Sequence, residues 1–489
     1  MIDRQEILDF AADFGLDPNV VEKDYVLGWL LAGIGAHAEI GGQWLFKGGT
    51  CLKKCFFETY RFSEDLDFTV TNPDHINEQF LLRVFGEIAE SVYGQAGIEL
   101  PADTRRFEIY ANPRGRNSVQ GRVGYRGPMG RQAGVPRIRL DLTNDEHVVM
   151  EADRRVVHHP YSDGPPDGIH ILTYRFEEVF AEKVRALAER LRPRDLYDVV
   201  HLYRRDDLEP DRPQVVAALT QKCGFKGIPV PTIATLQANP ELQALQNDWE
   251  AMLRHQLPAL PSFDEFWNEL PAVFEWLFSE TLKPVAAPMP AATPVQLDQQ
   301  WHAPAMAASW RRDFGVTAPL ELIRFAGVNR LCVELAYQDE QGRSSTRLIE
   351  PYSLRRTQSG DLLLHAVRHD SGQSRSYRVD RILGATVSKT SFQPRYAIEL
   401  TASGPISAPP TAQRETAPYR RPRAMAPRIP SGRPRQLYTG AQGPKYVFEC
   451  MVCRKRFERR TYDATLNPHK DKRGYPCVGR IGHYVTTKY

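Results

Sequence analysis

The chain has no run of about 18 apolar residues, the length a membrane-spanning helix requires. Cysteine is scarce too: seven in 489 residues cannot make a disulfide-held scaffold. Cys51, Cys55, Cys223 and Cys332 stand apart among apolar neighbours and are expected to be reduced, packed thiols. The opening segment MIDRQEILDF lacks the basic and then apolar stretch of a secretory signal. No internal repeat is present. These absences argue against a membrane-spanning or secreted protein, and a cytoplasmic location is expected.

What remains is ordinary globular composition, 42% hydrophobic and 25% charged, over a length that suggests about three domains. Two stretches without helical or strand periodicity divide it. Residues 283–299 (KPVAAPMPAATPVQLDQ) are rich in Pro and Ala, and within 403–440 Pro and Arg alternate with small residues. Both are expected to be extended linkers. They leave domains at 1–282 and 300–402 and a short module at 441–489. The net charge of +3 hides an asymmetry: from Arg414 onward there are 18 Lys and Arg against 5 Asp and Glu. A basic tail on an acidic body suggests that the tail meets a polyanion.

The first domain mixes periodicities, as an α+β fold does. Val20–Leu31 has helical spacing, and Glu177–Leu191 places Phe180, Val184, Leu187 and Leu191 on one helical face. Trp44–Phe46, Leu66–Val70 and Arg137–Leu142 are strand-like, and the segment from about 192 to 282 is helical. The middle domain instead carries short alternating runs, Arg330–Tyr337, Arg347–Glu350, Asp361–Val367 and Ser376–Val379, split by turn residues. Such spacing predicts a small antiparallel β-barrel.

The most informative stretch is FKGGTCLKKCFFETYRFSEDLDFTV, residues 46–70. On a strand, Asp65 and Asp67 project from one face while Leu66 points into the core. Two carboxylates so placed repel unless a cation lies between them, and Mg²⁺ favours such oxygen ligands. Gly48-Gly49-Thr50 follows a strand and precedes a helical stretch, Leu52–Thr59. Glycines there let the backbone approach a phosphate, the helix N-terminus offers free N–H groups, and Thr50 adds a hydroxyl donor. Either motif alone is commonplace, a pair of solvated acids or a turn. Together they describe a triphosphate cradle beside a metal-binding pair, as in-line nucleotidyl transfer requires.

GGT…RFSEDLDF resembles the first motif of the AbiE-type toxin family, nucleotidyltransferases of the DNA polymerase β-like superfamily, and the resemblance extends over most of residues 1–280. VEKDYVLGWLL is similar to the segment before the family's glycine loop. IRLDLT, with Asp141, matches the second motif; EEVFAEKVRAL, with Lys183, resembles the third; and RPRDLYDVVHL, with Arg194, Asp195 and Asp198, the fourth. The resemblance implies Mg²⁺ at Asp65 and Asp67 bridging an NTP. Asp141 would complete the metal site or act as a base, and Lys183 would neutralise phosphate charge. Of Asp195 and Asp198, one would position Lys183 or the acceptor and the other cap or form a salt bridge. Arg61 and Ser63 would contact phosphate, or Arg61 would pair with an acid.

LCVELAYQDEQGRSSTRLIEPYSL, GDLLLHAV, SRSYRVDRILGATV and the closing FQP resemble a WYL domain, an Sm-like barrel, although the eponymous Trp-Tyr-Leu stands here as Leu362-Leu363-Leu364. The resemblance implies that Arg347, Tyr352, Arg378 and Arg381 line a basic nucleotide- or nucleic-acid-binding face. At the C-terminal end, Cys450-x₂-Cys453-x₁₅-His469-x₇-Cys477 has the donor set of a structural Zn²⁺ site, with His483 competing for the fourth position. A module this small depends on metal to fold. Arg454, Lys455, Arg456, Arg459 and Arg460, interleaved with Phe457, suit a nucleic-acid backbone.

The sequence thus predicts a nucleotidyltransferase that moves an NMP from an NTP onto an acceptor. The resemblance implies a toxin or phage-defence role, an RNA acceptor such as tRNA, and a possible antitoxin partner. Two alternatives stand beside it: a protein acceptor, and a ligand-responsive nucleic-acid-binding regulator using the domain as a scaffold.

Overall fold

The computed structural model describes residues 1–57, 59–112, 114–130, 134–205, 208–279, 283, 287–290, 296–298, 318–401, 404–406, 445–450, 452–459, 465–471, 475–477 and 482–488. Most of both expected linkers lies outside these residues. The chain forms two compact units, Met1–Arg414 and Glu415–Tyr489.

In the first unit, α1 (Arg4–Phe14) is capped by Asp3, whose carboxylate accepts the Glu6 N–H, and is closed by Gly15 at φ 64°. Buried along most of its length, α2 (Pro18–Ala36) spans the predicted Val20–Leu31. Next come β1 (Trp44–Lys47), a short helical turn α3 (Gly48–Cys51), β2 (Asp65–Val70) and α4 (Glu78–Ala96). The turn after α3 is widened: Phe57 N–H reaches back to Leu52 O at 2.8 Å, a five-residue step in place of the expected helix. Strands β3 (Arg106–Ala111), β4 (Asn117–Gly124), β5 (Arg137–Thr143), β6 (Asp153–Val157) and β7 (Ile169–Thr173) complete a seven-stranded sheet ordered β3-β4-β5-β2-β1-β7-β6. Strand β2 is parallel to β5, with Asp67 opposite Asp141, and antiparallel to β1, with Asp67 opposite Lys47. Helices α5 (Phe176–Arg190), α6 (Pro193–Arg204) and α7 (Arg212–Lys226) follow, with shorter helices to Phe278. The mixed α/β architecture is the one expected of a nucleotidyltransferase.

A helix, Leu320–Val328, opens the middle region. It leads into β8 (Leu331–Gln338), β9 (Ser344–Arg356), β10 (Leu362–Arg368), β11 (Ser374–Arg378), β12 (Ile382–Ser391), β13 (Ile398–Thr401) and β14 (Gly404–Ile406). The predicted strands are all present, but the expected barrel does not close among the described residues. Strand β9 pairs with β10 along one edge, while its other edge passes from β8 (Ser344–Ile349) to β13 (at Ser353). The register against β10 shifts where Pro351, which has no N–H to give, enters the ladder. The sheet therefore branches and stays open, with β11, β12 and β14 at its ends.

This sheet packs on the helices that follow β7, within one unit. At the seam, Tyr197 OH donates to Asn329 Oδ1 at 2.9 Å, and His201 Nε2 lies 3.1 Å from the same oxygen. Arg330 reaches Glu269 at 2.8 Å, and Glu269 also holds Arg204.

The second unit centres on Lys445–Cys450, which pairs antiparallel with Arg456–Arg459 and Gly482–Lys488; His469–Lys470 pairs with Pro476–Cys477. Among the described residues, no helix is long and apolar enough to cross a membrane.

Candidate active site

On β2, Leu66 and Phe68 are fully buried, so Asp65 and Asp67 are left on the opposite face, as the alternation predicts. Asp141 stands beside Asp67 on the neighbouring parallel strand, about 4.8 Å away at ordinary strand spacing. Three acids are thereby concentrated on one patch of sheet. Burial, helped by Asp141 and Asp65 and opposed by Lys47 and Lys183, pushes the Asp67 carboxyl up to about 6. Asp141 is also raised, by burial and then by Asp65. Burial and neighbouring negative charge thus both disfavour ionisation of Asp67 and Asp141.

The glycine loop is built against this patch. Gly48 has φ +79°, and a Cβ there would stand 2.0 Å from Asp67 Oδ2. A Cβ on Gly49 would lie 2.4 Å from Arg61 Nη2 and 3.1 Å from Ser63 Oγ. Only glycine allows the loop this close to the acids and the guanidinium. Thr50 is placed differently from the expectation. Its hydroxyl donates to the Asp65 carbonyl oxygen in a short hydrogen bond, tying α3 to β2, and it does not line the cavity.

The remaining predicted residues fall into two groups. Lys183, Asp195, Arg61 and Ser63 line a cavity of about 360 Å³ together with Gly48, Gly49 and the three acids. Asp198 lies behind the wall, fully buried. It accepts from Arg61 Nε at 2.7 Å and Nη2 at 2.8 Å, from Lys183 Nζ at 2.7 Å, and from Tyr60 OH. Burial opposes its charge, but Arg61 and Lys183 outweigh burial and hold it well below the usual carboxylate range. Asp195 takes both donors of Arg190, at 2.6 and 2.8 Å, with Lys183 Nζ 3.8 Å away. The two acids of the fourth motif thus fix three cations at the cavity's edge.

Sequence reasoning missed Lys47, Glu146, Glu182, Arg185 and Arg190, all of which line the cavity. Lys47 is buried, 3.5 Å from both Glu146 and Glu182, and these acids raise its pKa despite burial. Its place immediately before Gly48-Gly49 was the one available signal.

The face expected on the middle sheet is not assembled as bare positive charge. Tyr352 is buried and its oxygen accepts the Arg395 N–H at 3.0 Å. Arg378 pairs with Asp361 and Asp380, each at 2.9 Å, and Arg381 with Glu340 at 3.1 Å; Arg347 is exposed.

In the second unit, Cys450, Cys453, His469 and Cys477 bring their donor atoms within 4.8 Å of one another. Cys450 and Cys477 Sγ are 3.8 Å apart, and Cys453 Sγ is 3.3 Å from His469 Nε2. His469 Nδ1 lies 2.9 Å from the Asn467 carbonyl oxygen, to which it donates when Nε2 serves as a ligand. Arg454, Lys455 and Arg456 lie on the surface beside the cluster. The side chains of His483 and Arg459, and all of Arg460, lie outside the described residues.

Residues 29–273, half of the chain, match the family described as nucleotidyl transferase AbiEii toxin, type IV toxin–antitoxin system. The chain belongs to this family. Residues 319–387 match the WYL domain. Among solved structures, the chain is similar to MenT4, a nucleotidyltransferase toxin from Mycobacterium tuberculosis H37Rv, at 19% identity over 57% of this chain and 90% of that one, with a TM-score of 0.41. It is also similar to JHP933 from Helicobacter pylori, at 16% identity over 54% and 94%, with a TM-score of 0.32. No curated protein matches. The AbiEii region contains the glycine loop and every acid of the cavity, so this enzyme's nucleotidyltransferase chemistry belongs there.

Proposed function

We propose that this AbiEii-family enzyme transfers an NMP from an NTP to a hydroxyl of an RNA acceptor, tRNA being the candidate, as a toxin or phage-defence effector in the cytoplasm. The reading carries with it a cognate antitoxin, a catalytic Mg²⁺ and a structural Zn²⁺. The observation behind it is the convergence of Asp65, Asp67 and Asp141 on a glycine loop that accepts no side chain.

The donor set fits Mg²⁺: oxygen ligands only, on adjacent strands, with carboxyls whose ionisation is held back by burial and by one another. Asp65 and Asp67 would hold the ion, with Asp141 as third ligand or as base toward the acceptor hydroxyl. A metal held there would neutralise triphosphate charge. The chain's own part is positioning. Gly48 and Gly49 bring backbone N–H groups to the phosphates. Lys183 and Arg61, both braced by Asp198, and Arg190, braced by Asp195, stabilise the charge that gathers on the departing pyrophosphate. A scaffold in a binding regulator would have no use for three acids in this arrangement, which supports the enzyme reading.

The test is incubation of the full chain with each α-labelled NTP, Mg²⁺ and total RNA, beside Asp65→Ala and Asp67→Ala. Label is expected in RNA with the wild type and at least 10³-fold less with either variant. Wild-type transfer by both variants would sink the site, and label in protein alone would replace the acceptor.

A further inference from the structure

The sheet that carries the acids also carries a row of arginines. Arg106 on β3 stands opposite Arg122 on β4, Arg122 opposite Arg139 on β5, and Arg139 opposite Asp65 on β2. Directly opposed residues share a sheet face, so all four side chains rise from the face that holds the active site. Arg137, two residues before Arg139, rises from it as well. Like charges placed opposite one another across strands destabilise a sheet, so the fold gains nothing from this row.

Nor are the arginines consumed by acids. Arg122 has an exposed contact to Glu108 at 3.6 Å, the kind of ion pair that contributes little. Arg137 and Arg139 enter no ion pair among the described residues, although the Arg139 charge also acts on Asp141. Arg122, Arg137 and Arg139 open, with Lys23 and Arg194, onto a second cavity of about 490 Å³ whose acids are Glu64 and Asp65. Asp65 and Arg194 belong to both cavities, so a ligand lying in the second reaches the reacting centre at Asp65.

We infer that the Arg106–Arg122–Arg139 row, with Arg137, is the track on which the acceptor lies, and that it binds the phosphodiester backbone of a single nucleic-acid strand. The inference rests on the transferase reading above and adds to it where the acceptor lies and which side chains hold its backbone. Guanidinium groups at regular strand spacing match a regularly charged polyanion, and arginine binds phosphate through paired donors. An acidic protein segment would be a different occupant, and the experiment separates the two.

The full chain carrying Arg106→Gln, Arg122→Gln and Arg137→Gln together is compared with wild type. Arg139 and Arg194, which adjoin Asp65, stay unchanged. Binding of a fluorescent 15-nucleotide oligo(U) is measured between 50 and 200 mM KCl, binding of each MgNTP by calorimetry, and transfer to total RNA and to protein by label. At about 0.7 per phosphate neutralised on a single strand, loss of three contacts should flatten the log–log salt slope by about 2. Oligo(U) affinity at 50 mM KCl should fall at least 10-fold, and KM for RNA should rise with kcat little changed. MgNTP binding should stay as in wild type. Unchanged oligo(U) affinity and slope would overturn the track. So would a parallel loss of MgNTP binding, which would assign the row to the nucleotide, and so would reduced transfer to protein with RNA binding intact. A wild-type chain that binds no NTP, yet whose oligo(U) slope still falls in the variant, would sink the transferase reading and uphold the strand contact.

Discussion

The Lys183 ammonium lies 2.7 Å from the Asp198 carboxylate, and Asp198 is wholly buried behind the cavity wall that Lys183 faces. The acid serves the site through the cations it braces, and this separates two variants. Asp198→Ala leaves Arg61 and Lys183 buried without their shared partner, a change that costs about 3–5 kcal/mol. Lys183→Ala leaves Asp198 paired with Arg61 and Tyr60. We expect Asp198→Ala to lower stability and transfer together, and Lys183→Ala to lower transfer about 10²-fold with a much smaller loss of stability. Urea unfolding alongside labelled-NTP transfer checks the pair; equal stability losses would place Lys183 in the structural network alone.

Asp65→Asn and Asp67→Asn should act in the opposite sense on stability. Each removes one of three mutually repelling acids, so metal-free protein should unfold at an equal or higher temperature while transfer disappears. A clear fall in the metal-free midpoint would mean that these carboxylates support the fold.

Gly48→Ala should inactivate the enzyme without help from the chemistry of alanine. The left-handed backbone at φ +79° costs an L-residue about 1–2 kcal/mol. Beyond that, the new methyl would stand 2.0 Å from Asp67 Oδ2 and push the carboxylate aside. Gly94, in the body of α4, is the control: a Cβ there meets nothing within 4 Å, and Gly94→Ala should stabilise by up to about 1 kcal/mol. Thermal midpoints and transfer rates of the two should diverge in both respects.

Much of this site is visible in the sequence because its signals are local. Asp65-Leu66-Asp67 needs only the strand's period of two, and Gly48-Gly49 lies just before a short helical turn. Asp141 and Lys183, singled out by motif order, line the same cavity. What was hidden is what depends on distant pairing. Thr50 looked like a phosphate donor because its acceptor, the Asp65 carbonyl, is set by a strand 15 residues onward. Lys47 acquires its acids from residues 146 and 182, and the arginine row exists only once β3, β4, β5 and β2 are in register. Tyr352 was expected on a basic face by resemblance, but it is buried against Phe392 and Tyr396, neighbours that only the folded sheet brings to it. The expected barrel failed for a related reason: period and turns give strands, but not which partners β9 takes on each edge or where its register shifts at Pro351.

The seam between those domains makes a pH prediction. Burial pushes Glu265 up to about 7, with Glu269 adding to the effect and Arg204 and Arg330 opposing it. A raised acid holds its proton in the folded chain after the unfolded chain has released it. Its stabilising contribution is therefore complete below about 4.5 and is lost as pH rises through about 7. The span corresponds to about 3 kcal/mol as an order of magnitude. Glu265→Gln keeps the neutral form at every pH. The stability of wild type minus that of Glu265→Gln should therefore fall between pH 5 and pH 8; a difference that stays flat would mean the carboxyl ionises at its ordinary pH.

The last prediction concerns the four-residue cluster of the second unit. With Zn–S near 2.3 Å, two thiolates on one tetrahedral zinc stand about 3.8 Å apart. Cys450 and Cys477 are 3.8 Å apart, and His469 presents Nε2 to Cys453 at 3.3 Å while Nδ1 lies beside the Asn467 carbonyl. Among the described residues the apolar support for this arrangement is slight, with Phe448 and Leu466 as its buried members besides the cysteines and Phe457 packed against them. A structural zinc supplies on the order of 10–16 kcal/mol, far more than so small a core provides. Purified protein should release one Zn²⁺ per chain to a chromogenic chelator after thiol modification, and Cys450→Ser with Cys453→Ser should release none. Without metal, proteolysis should remove the chain beyond about residue 445, while the unit Met1–Arg414 keeps its thermal midpoint. Cutting the chain near Gln436 should flatten the salt dependence of RNA binding, because Arg454, Lys455 and Arg456 lose their place with the module, and the double cysteine variant should reproduce much of that change. Full protease resistance of the zinc-free variant would show that the cluster holds no structural metal. An unchanged salt slope after truncation would instead assign the module to protein docking.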